Sequence, residues 1–270
     1  MDDDLAMPKG ELMRGKRGVV MGVANKNSIA WGIASQLAAQ GAEVGLMYME
    51  SNEKRVRPLG ESIGASLYAT FDASSDESMA AAFKIVEDQW GRLDFLVHAI
   101  AYADRSQIKG SFVENATRAH FAQAMDISAY SFVDAARRAS KMMGRGGSMI
   151  TLSYLGAERA IPNYNTMGVA KAALEAATRY IARDLGPAGI RVNAISAGAM
   201  RTLSLAGISG GKAMLSEGRK LSALQEDTSM EGVAGCALWL LSDLGRSTTG
   251  EIVHVDAGFH MMGLPSDEDA

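Results

Sequence analysis

The sequence is poor in the devices that hold a chain together covalently or place it in a membrane. Cys236 is the only cysteine in 270 residues, so an intrachain disulfide is impossible and a reducing, cytoplasmic setting is expected. No apolar run approaches the roughly 18 residues needed to span a bilayer. The opening Met1-Asp2-Asp3-Asp4 is acidic where a secretory signal is basic, so no membrane partner is expected. A long basic block is also missing and the net charge is −4, which argues against nucleic acid as the main partner. There is no internal repeat and no linker. Two compact signatures are absent as well: the first strand is not followed by Gly-x-Gly-x-x-Gly, and no tyrosine has a lysine four positions later. No metal site is expected.

What remains is an ordinary globular composition, 47% apolar and 21% charged, with enough apolar residues for a large core. The seventeen methionines are scattered and read as core filling. Short apolar runs at 17–22, 43–48, 66–71, 95–99, 148–153, 191–196 and 251–255 read as strands. Between them lie helical patterns at 28–40, 53–64, 76–90, 117–143, 164–185, about 212–224, and 230–241. Near-continuous apolar strands alternating with helices predict an α/β fold, a single doubly wound Rossmann-like domain. Its parallel sheet has about seven strands, with helices on both faces. The domain is expected over residues 16–260, with loose tails at 1–15 and 261–270. Ligands of such sheets bind beyond the carboxyl ends of the strands.

The pair Tyr164 and Lys171 carries the sharpest chemical signal. On one helix, positions seven apart differ by about 20° around the axis and roughly 10 Å along it, so both can serve one site. In ordinary short-chain dehydrogenases the tyrosine stands four before the lysine, and its phenol protonates the oxygen on the carbon receiving hydride. A phenol one turn further from the lysine suits an oxygen more distant from that carbon, as when hydride reaches the β-carbon of an α,β-unsaturated thioester and charge collects on the carbonyl. Such a pair also arises by chance, so its weight depends on the cofactor signals upstream.

Those signals follow the strand ends. Gly22 closes the first strand, and Ser28-Ile29 opens a helix whose N-terminal N–H groups and dipole favour a pyrophosphate; a plain turn capped by Ser28 has the same sequence. Gly32, inside that helix, is expected to permit close helix–sheet contact. The second strand ends Met47-Tyr48-Met49-Glu50, where an adenosine ribose is contacted. Glu50 repels a 2′-phosphate and no base appears before Lys54, which favours NADH over NADPH. Asp72 fits either the adenine amino group or a turn cap. His98, in a buried apolar strand, reads as structural. Beyond the sixth strand, Ala197-Gly198-Ala199-Met200-Arg201-Thr202 offers amides and a hydroxyl to the nicotinamide end, and residues 203–211 have the small-residue composition of a mobile lid.

Taken together, Gly22 with Ser28-Ile29-Ala30, His98, Asp126-Ile127-Ser128, Leu152-Ser153-Tyr154-Leu155-Gly156, Pro162-Asn163-Tyr164-Asn165, Lys171, Arg191-Val192-Asn193-Ala194-Ile195-Ser196-Ala197-Gly198 and Arg201-Thr202 resemble the bacterial NADH-dependent enoyl-[acyl-carrier-protein] reductases, a divergent branch of the short-chain dehydrogenases. The resemblance implies a cytoplasmic homotetramer that reduces trans-2-enoyl thioesters on acyl carrier protein in type II fatty acid synthesis. It implies Tyr154, Tyr164 and Lys171 as catalytic residues, Tyr164 on the thioester carbonyl and Lys171 on the nicotinamide ribose. It also implies that Gly22, Ser28, Ile29, Met49, Asp72, Ile100, Ala197 and Thr202 hold NADH with Lys171. It further implies that Ala103, Tyr154, Tyr164 and Met167 line the substrate site. The chain departs from the pattern at Ala99, where many members have serine, and at Ala199, where many have proline. Few basic residues flank the expected lid, which weakens or displaces carrier docking. A ketoreductase and a silent dinucleotide-binding regulator are the rival readings.

Overall fold

The computed structural model describes residues 7–202 and 211–263. Seven strands alternate with helices. In chain order they run β1 (Arg17–Met21), α1 (Ile29–Ala39), β2 (Glu43–Tyr48), α2 (Glu53–Ser62), β3 (Leu67–Thr70), α3 (Asp76–Trp90) and β4 (Phe95–His98). Two short helices follow, α4 (Arg105–Ile108) and α5 (Phe112–Asn115). Then come α6 (Arg118–Met125), a π-helical turn (Asp126–Tyr130), α7 (Ser131–Ser140), β5 (Gly147–Ser153), α8 (Asn165–Leu185), β6 (Ile190–Ala197), α9 (Gly211–Leu221), α10 (Met230–Leu241) and β7 (Ile252–Val255). Each predicted strand is present, with ends moved by at most two residues.

All neighbouring strands pair in parallel, in the order β3-β2-β1-β4-β5-β6-β7. Strand order reverses between β1 and β4, and the crevice at that switch point is where such sheets receive ligands. The strand interiors are apolar because helices cover both faces. One core cluster joins α1 and α10 to the sheet through residues such as Ile33, Leu37, Val97 and Leu240; the opposite cluster joins α3, α7 and α8 through Phe83, Phe132 and Leu174.

Three expectations need correction. The described part of the segment 1–15 is not loose: Met13 is fully buried, its N–H donates to Gln40 O at 2.9 Å, and both Gln36 and Gln40 donate side-chain amides to Pro8 O. Met13 stands in a largely polar stretch whose few apolar residues follow no period that would reveal that docking. Gly32 serves helix–helix rather than helix–sheet contact, since a Cβ there meets the Met230 sulfur at 2.3 Å. The helix expected over 117–143 is interrupted by its π-turn, a wider coil that recurs at functional sites. There Ser128 donates to Tyr102 O and accepts from Tyr102 N–H, both at 2.9 Å, pinning the segment after β4.

Candidate active site

At the switch point β1 ends in Gly22, whose φ of +96° is left-handed, and a Cβ there falls 2.2 Å from Ala99 O. Only glycine lets the two strand ends approach so closely. Ser28 follows as N-cap of α1, but its side chain does not cap the helix. Its hydroxyl donates instead to Asn25 O at 2.7 Å, holding the loop and leaving the first-turn N–H groups of α1 outside that bond. A plain Ser28 cap is therefore not what the fold builds.

Gly22, Ser28, Ile29, Ile100, Ala197 and Thr202 line one cavity of about 200 Å³ with Tyr154, Tyr164 and Lys171. These residues follow four strand ends, those of β1, β4, β5 and β6, and the fold brings them together. Met49 and Asp72 stand further along the same edge and do not line it. Met49 is exposed ahead of the turn Glu50–Asn52. Asp72 accepts from the N–H and hydroxyl of Ser74, at 2.9 and 2.7 Å, which holds its carboxyl below the usual range. The turn role of Asp72 is thus realised.

Tyr164 does not begin the helix as expected; it is the N-cap of α8, at φ −112°. The residues on either side are left-handed, Asn163 at φ +60° and Asn165 at φ +36°. Such backbone persists only where surrounding bonds enforce it. Here both asparagines grip Gly110: Asn163 Oδ1 accepts from its N–H at 3.2 Å and Asn165 Nδ2 donates to its carbonyl at 3.0 Å. The Tyr164 ring then meets Tyr154 edge-on with centroids 4.8 Å apart. Gly156 lies beneath it, where a Cβ would come within 2.3 Å of the Tyr164 ring. Burial raises the Tyr164 phenol far above its ordinary pKa, and the neighbouring Tyr154 adds to the effect, so Tyr164 is a protonated donor. Tyr154 is pushed up to about 12, again mainly by burial.

Lys171 is 5% exposed and its Nζ donates to Leu152 O at 2.6 Å. Burial pushes its ammonium down to about 8, against an opposing pull from Glu175. Ala103 and Met167 pack with Tyr154, Tyr164, Ile108 and Ile161 in a small apolar cluster. A second cavity of about 330 Å³ adjoins the first, sharing Tyr154, Gly198, Ala199 and Met214 and extending to Leu215 and Phe259. The arrangement combines a crevice at the strand ends, a buried cation, a protonated phenol and an apolar chamber. The expected lid, 203–211, lies outside the described residues apart from Gly211.

Comparison with known proteins decides among the readings of this geometry. A family model described as enoyl-(acyl carrier protein) reductase matches residues 22–260. The chain belongs to that family. Enoyl-[acyl-carrier-protein] reductase [NADH] 2 of Rhizobium meliloti (strain 1021) is 50% identical over 256 residues, 94% of this chain and 95% of the relative. The enoyl-acyl-carrier-protein reductase of Anaplasma phagocytophilum, solved in complex with NAD, is 51% identical with a TM-score of 0.92, covering 97% of this chain and all of that one. The Bacillus cereus enzyme, solved with NADP+ and an indole naphthyridinone, is 46% identical with a TM-score of 0.91 over 94% of this chain and all of that one.

Within this enoyl reductase His98 has the structural place expected of it. It is fully buried, with Nε2 at 2.8 Å from Ser131 Oγ and Nδ1 at 2.9 Å from Thr151 Oγ1. Because Ser131 donates its own proton to Ile127 O, its oxygen accepts from Nε2–H; the Thr151 hydroxyl, beside Nδ1, also reaches the carbonyl of His98 at 3.2 Å. Burial, then the Lys171 charge, push the imidazole down to about 3, so it is neutral. Several site residues escaped sequence reading: Ile161, Met214, Leu215 and Phe259 are apolar chamber walls indistinguishable from core, and Ile108 joins the apolar cluster around Tyr164. Asp256 lines the same chamber, and a lone aspartate after a strand carries no distinctive sequence signal.

Proposed function

We propose that the chain reduces trans-2-enoyl thioesters on acyl carrier protein to saturated acyl thioesters, in type II fatty acid synthesis. NADH supplies the hydride when bound. The observation that carries this reading is one cavity lined by both the Tyr164–Lys171 pair and the switch-point backbone, opening on an apolar chamber. Gly22, with no room for a Cβ, and the first turn of α1 fit the pyrophosphate; Lys171 is placed for the nicotinamide ribose hydroxyls; Met49 and Asp72 lie toward the adenosine end. Tyr164 donates its buried phenolic hydrogen to the thioester carbonyl oxygen, where negative charge collects as the β-carbon is reduced. Tyr154, Ala103 and Met167 enclose the acyl chain near that carbonyl. Glu50, exposed beyond β2, disfavours a 2′-phosphate and supports NADH.

Carrier docking is a further part of the proposal, and it is displaced from the helix after the lid. Arg219 there is already engaged by Asp227, with Nε to Oδ1 at 3.0 Å, and Lys220 lies 3.8 Å from Glu217. A homotetramer is supported by exposed apolar side chains on adjoining helices, Val133 on α7 and Val169 and Tyr180 on α8. A cytoplasmic site accords with this role and with a single cysteine. No helix among the described residues is long and apolar enough to cross a membrane.

The deciding assay is NADH oxidation with a trans-2-enoyl thioester beside a 3-ketoacyl thioester, repeated with NADPH. Turnover confined to the enoyl substrate, with kcat/KM at least about tenfold higher for NADH, is the expected result, a difference of roughly 1.4 kcal/mol. Turnover of the ketoacyl substrate alone, or of neither, overturns the proposal.

A further inference from the structure

Glu175 is a buried carboxylate that the reaction above does not use. It lies one turn beyond Lys171 on α8 and is 6% exposed, while Lys171 and Ser153 are each 5% exposed. Residues four apart share a helix face, so the two charges look toward the same strand. That strand is β5, and it engages both: Leu152 O accepts from Lys171 Nζ, and the adjacent Ser153 hydroxyl donates to Glu175. An isolated buried carboxylate costs several kcal/mol, and one hydroxyl is a thin return for it. A buried ammonium carries the same penalty. Burial holds the Glu175 carboxyl above its usual range, the Ser153 hydrogen bond opposes that shift, and the Glu175 charge in turn supports the Lys171 ammonium.

We propose that Glu175, held by Ser153, is a positioning residue whose carboxylate is the buried counter-charge that keeps Lys171 an ammonium facing the cofactor cavity. The proposal rests on the reading of Lys171 as a cofactor ligand. Other charges around the pair do not replace this role. His98 in β4 faces Lys171 but is neutral, and Tyr154 and Tyr164 are protonated phenols. Around Glu175 stand Arg179 on its own helix, Glu158 in the loop after β5, and His254 in β7. His254 is engaged with Glu158 at 2.9 Å, outside the Lys171 face. Removing the Glu175 charge therefore lets Lys171 lose its proton at lower pH.

Two readouts on the full chain test this: NADH affinity by fluorescence quenching from pH 6.5 to 9.5, and the pH midpoint of Lys171 acetylation in competitive amine labelling, read by peptide mass. In the wild type both are expected to change through about pH 8, the range to which burial lowers the Lys171 ammonium. Glu175→Gln preserves an acceptor for Ser153 while deleting the charge. It is expected to move both midpoints down by at least about half a pH unit, the direction set by losing an opposite charge. Glu175→Asp restores them toward wild type, and Ser153→Ala, which loosens the carboxylate without touching either charge, moves them the same way by less. A merely structural Glu175 predicts wild-type midpoints in Glu175→Gln, and that result overturns the proposal. Should Glu175→Gln fail to fold, an unshifted labelling midpoint in Ser153→Ala overturns it equally. Lys171→Ala separates the underlying reading: wild-type NADH affinity there removes the ribose role, while the labelling midpoint still judges Glu175.

Discussion

Beneath the cavity His98 and in its wall Lys171 are both buried bases, yet the protein completes only one of them. His98 has a hydroxyl at each ring nitrogen and is neutral, so nothing about it awaits a ligand. Lys171 has three donor hydrogens; among the described residues Leu152 O accepts one of them. Around Tyr164, likewise in the wall, the chain is bent through two left-handed asparagines, whereas β4 below is plain extended strand. The floor is finished as structure, and the wall carries retained charge and strain. On the proposed function that difference falls where the chemistry does, and three measurements bear on it.

The largest expected effects are in the wall. Tyr164→Phe removes one donor to the developing oxyanion and is expected to lower kcat by up to about a hundredfold, near 3 kcal/mol, with NADH affinity nearly intact. Lys171→Ala is expected to weaken NADH binding as well as turnover. Cofactor titration beside steady-state rates reads both, and equal damage to binding in the two variants breaks the division of labour.

The floor is expected to announce itself through stability and not through binding. Its imidazole is pushed down to about 3 in the folded protein, against about 6.5 unfolded. Below pH 6.5 the unfolded chain takes up a proton that the folded chain refuses, so stability falls as pH falls from about 6.5 toward 3. The slope attributable to this one residue reaches roughly 1.4 kcal/mol per pH unit. Urea titrations at pH 7, 6 and 5 should show that part of the slope vanish in His98→Gln, with NADH affinity at pH 7 close to wild type in the folded fraction. A cofactor defect matching that of Lys171→Ala erases the contrast between floor and wall.

The smallest effect concerns the clamp. Asn165→Ala removes one hydrogen bond to Gly110 and leaves alanine at a left-handed position, costing about 1 kcal/mol in stability. A severalfold loss in kcat with unchanged NADH affinity is expected, and unchanged kcat shows that Tyr164 is held without the clamp.

Much of this was legible in the sequence, and the exceptions share a cause. The seven strands and the order of helices follow from local apolar patterns, which the packing of a two-sided sheet reinforces. Gly22, Ser28, Tyr164 and Lys171 were legible only in combination: each has a bland reading alone, and their order after successive strands pointed to the one cavity that they line. What stayed hidden depends on partners distant in the chain. Met13 docks on the end of α1, Gly32 makes room for Met230, and Tyr164 sits outside its helix because Gly110 is gripped from both sides. Glu175 looked like any surface carboxylate on an amphipathic helix, and only the position of β5 shows it buried.

The parallel sheet also bears on how the chain reaches this state. No two of its strands meet through a hairpin, so each pairing waits for a crossover to close, and loop closure is slow in such topologies. The seam between β1 and β4 waits longest among the early strands, since two strands and three helices lie between them in the chain. Gly22 meets Ala99 only when that excursion is complete. A dinucleotide that binds along the seam recognises closed chains and ignores open ones. By mass action, ligand at a hundred times its Kd adds about 2.7 kcal/mol to the folded state. In a cell that keeps its NADH pool high, the coenzyme thereby doubles as a conformational clasp on every copy of the enzyme.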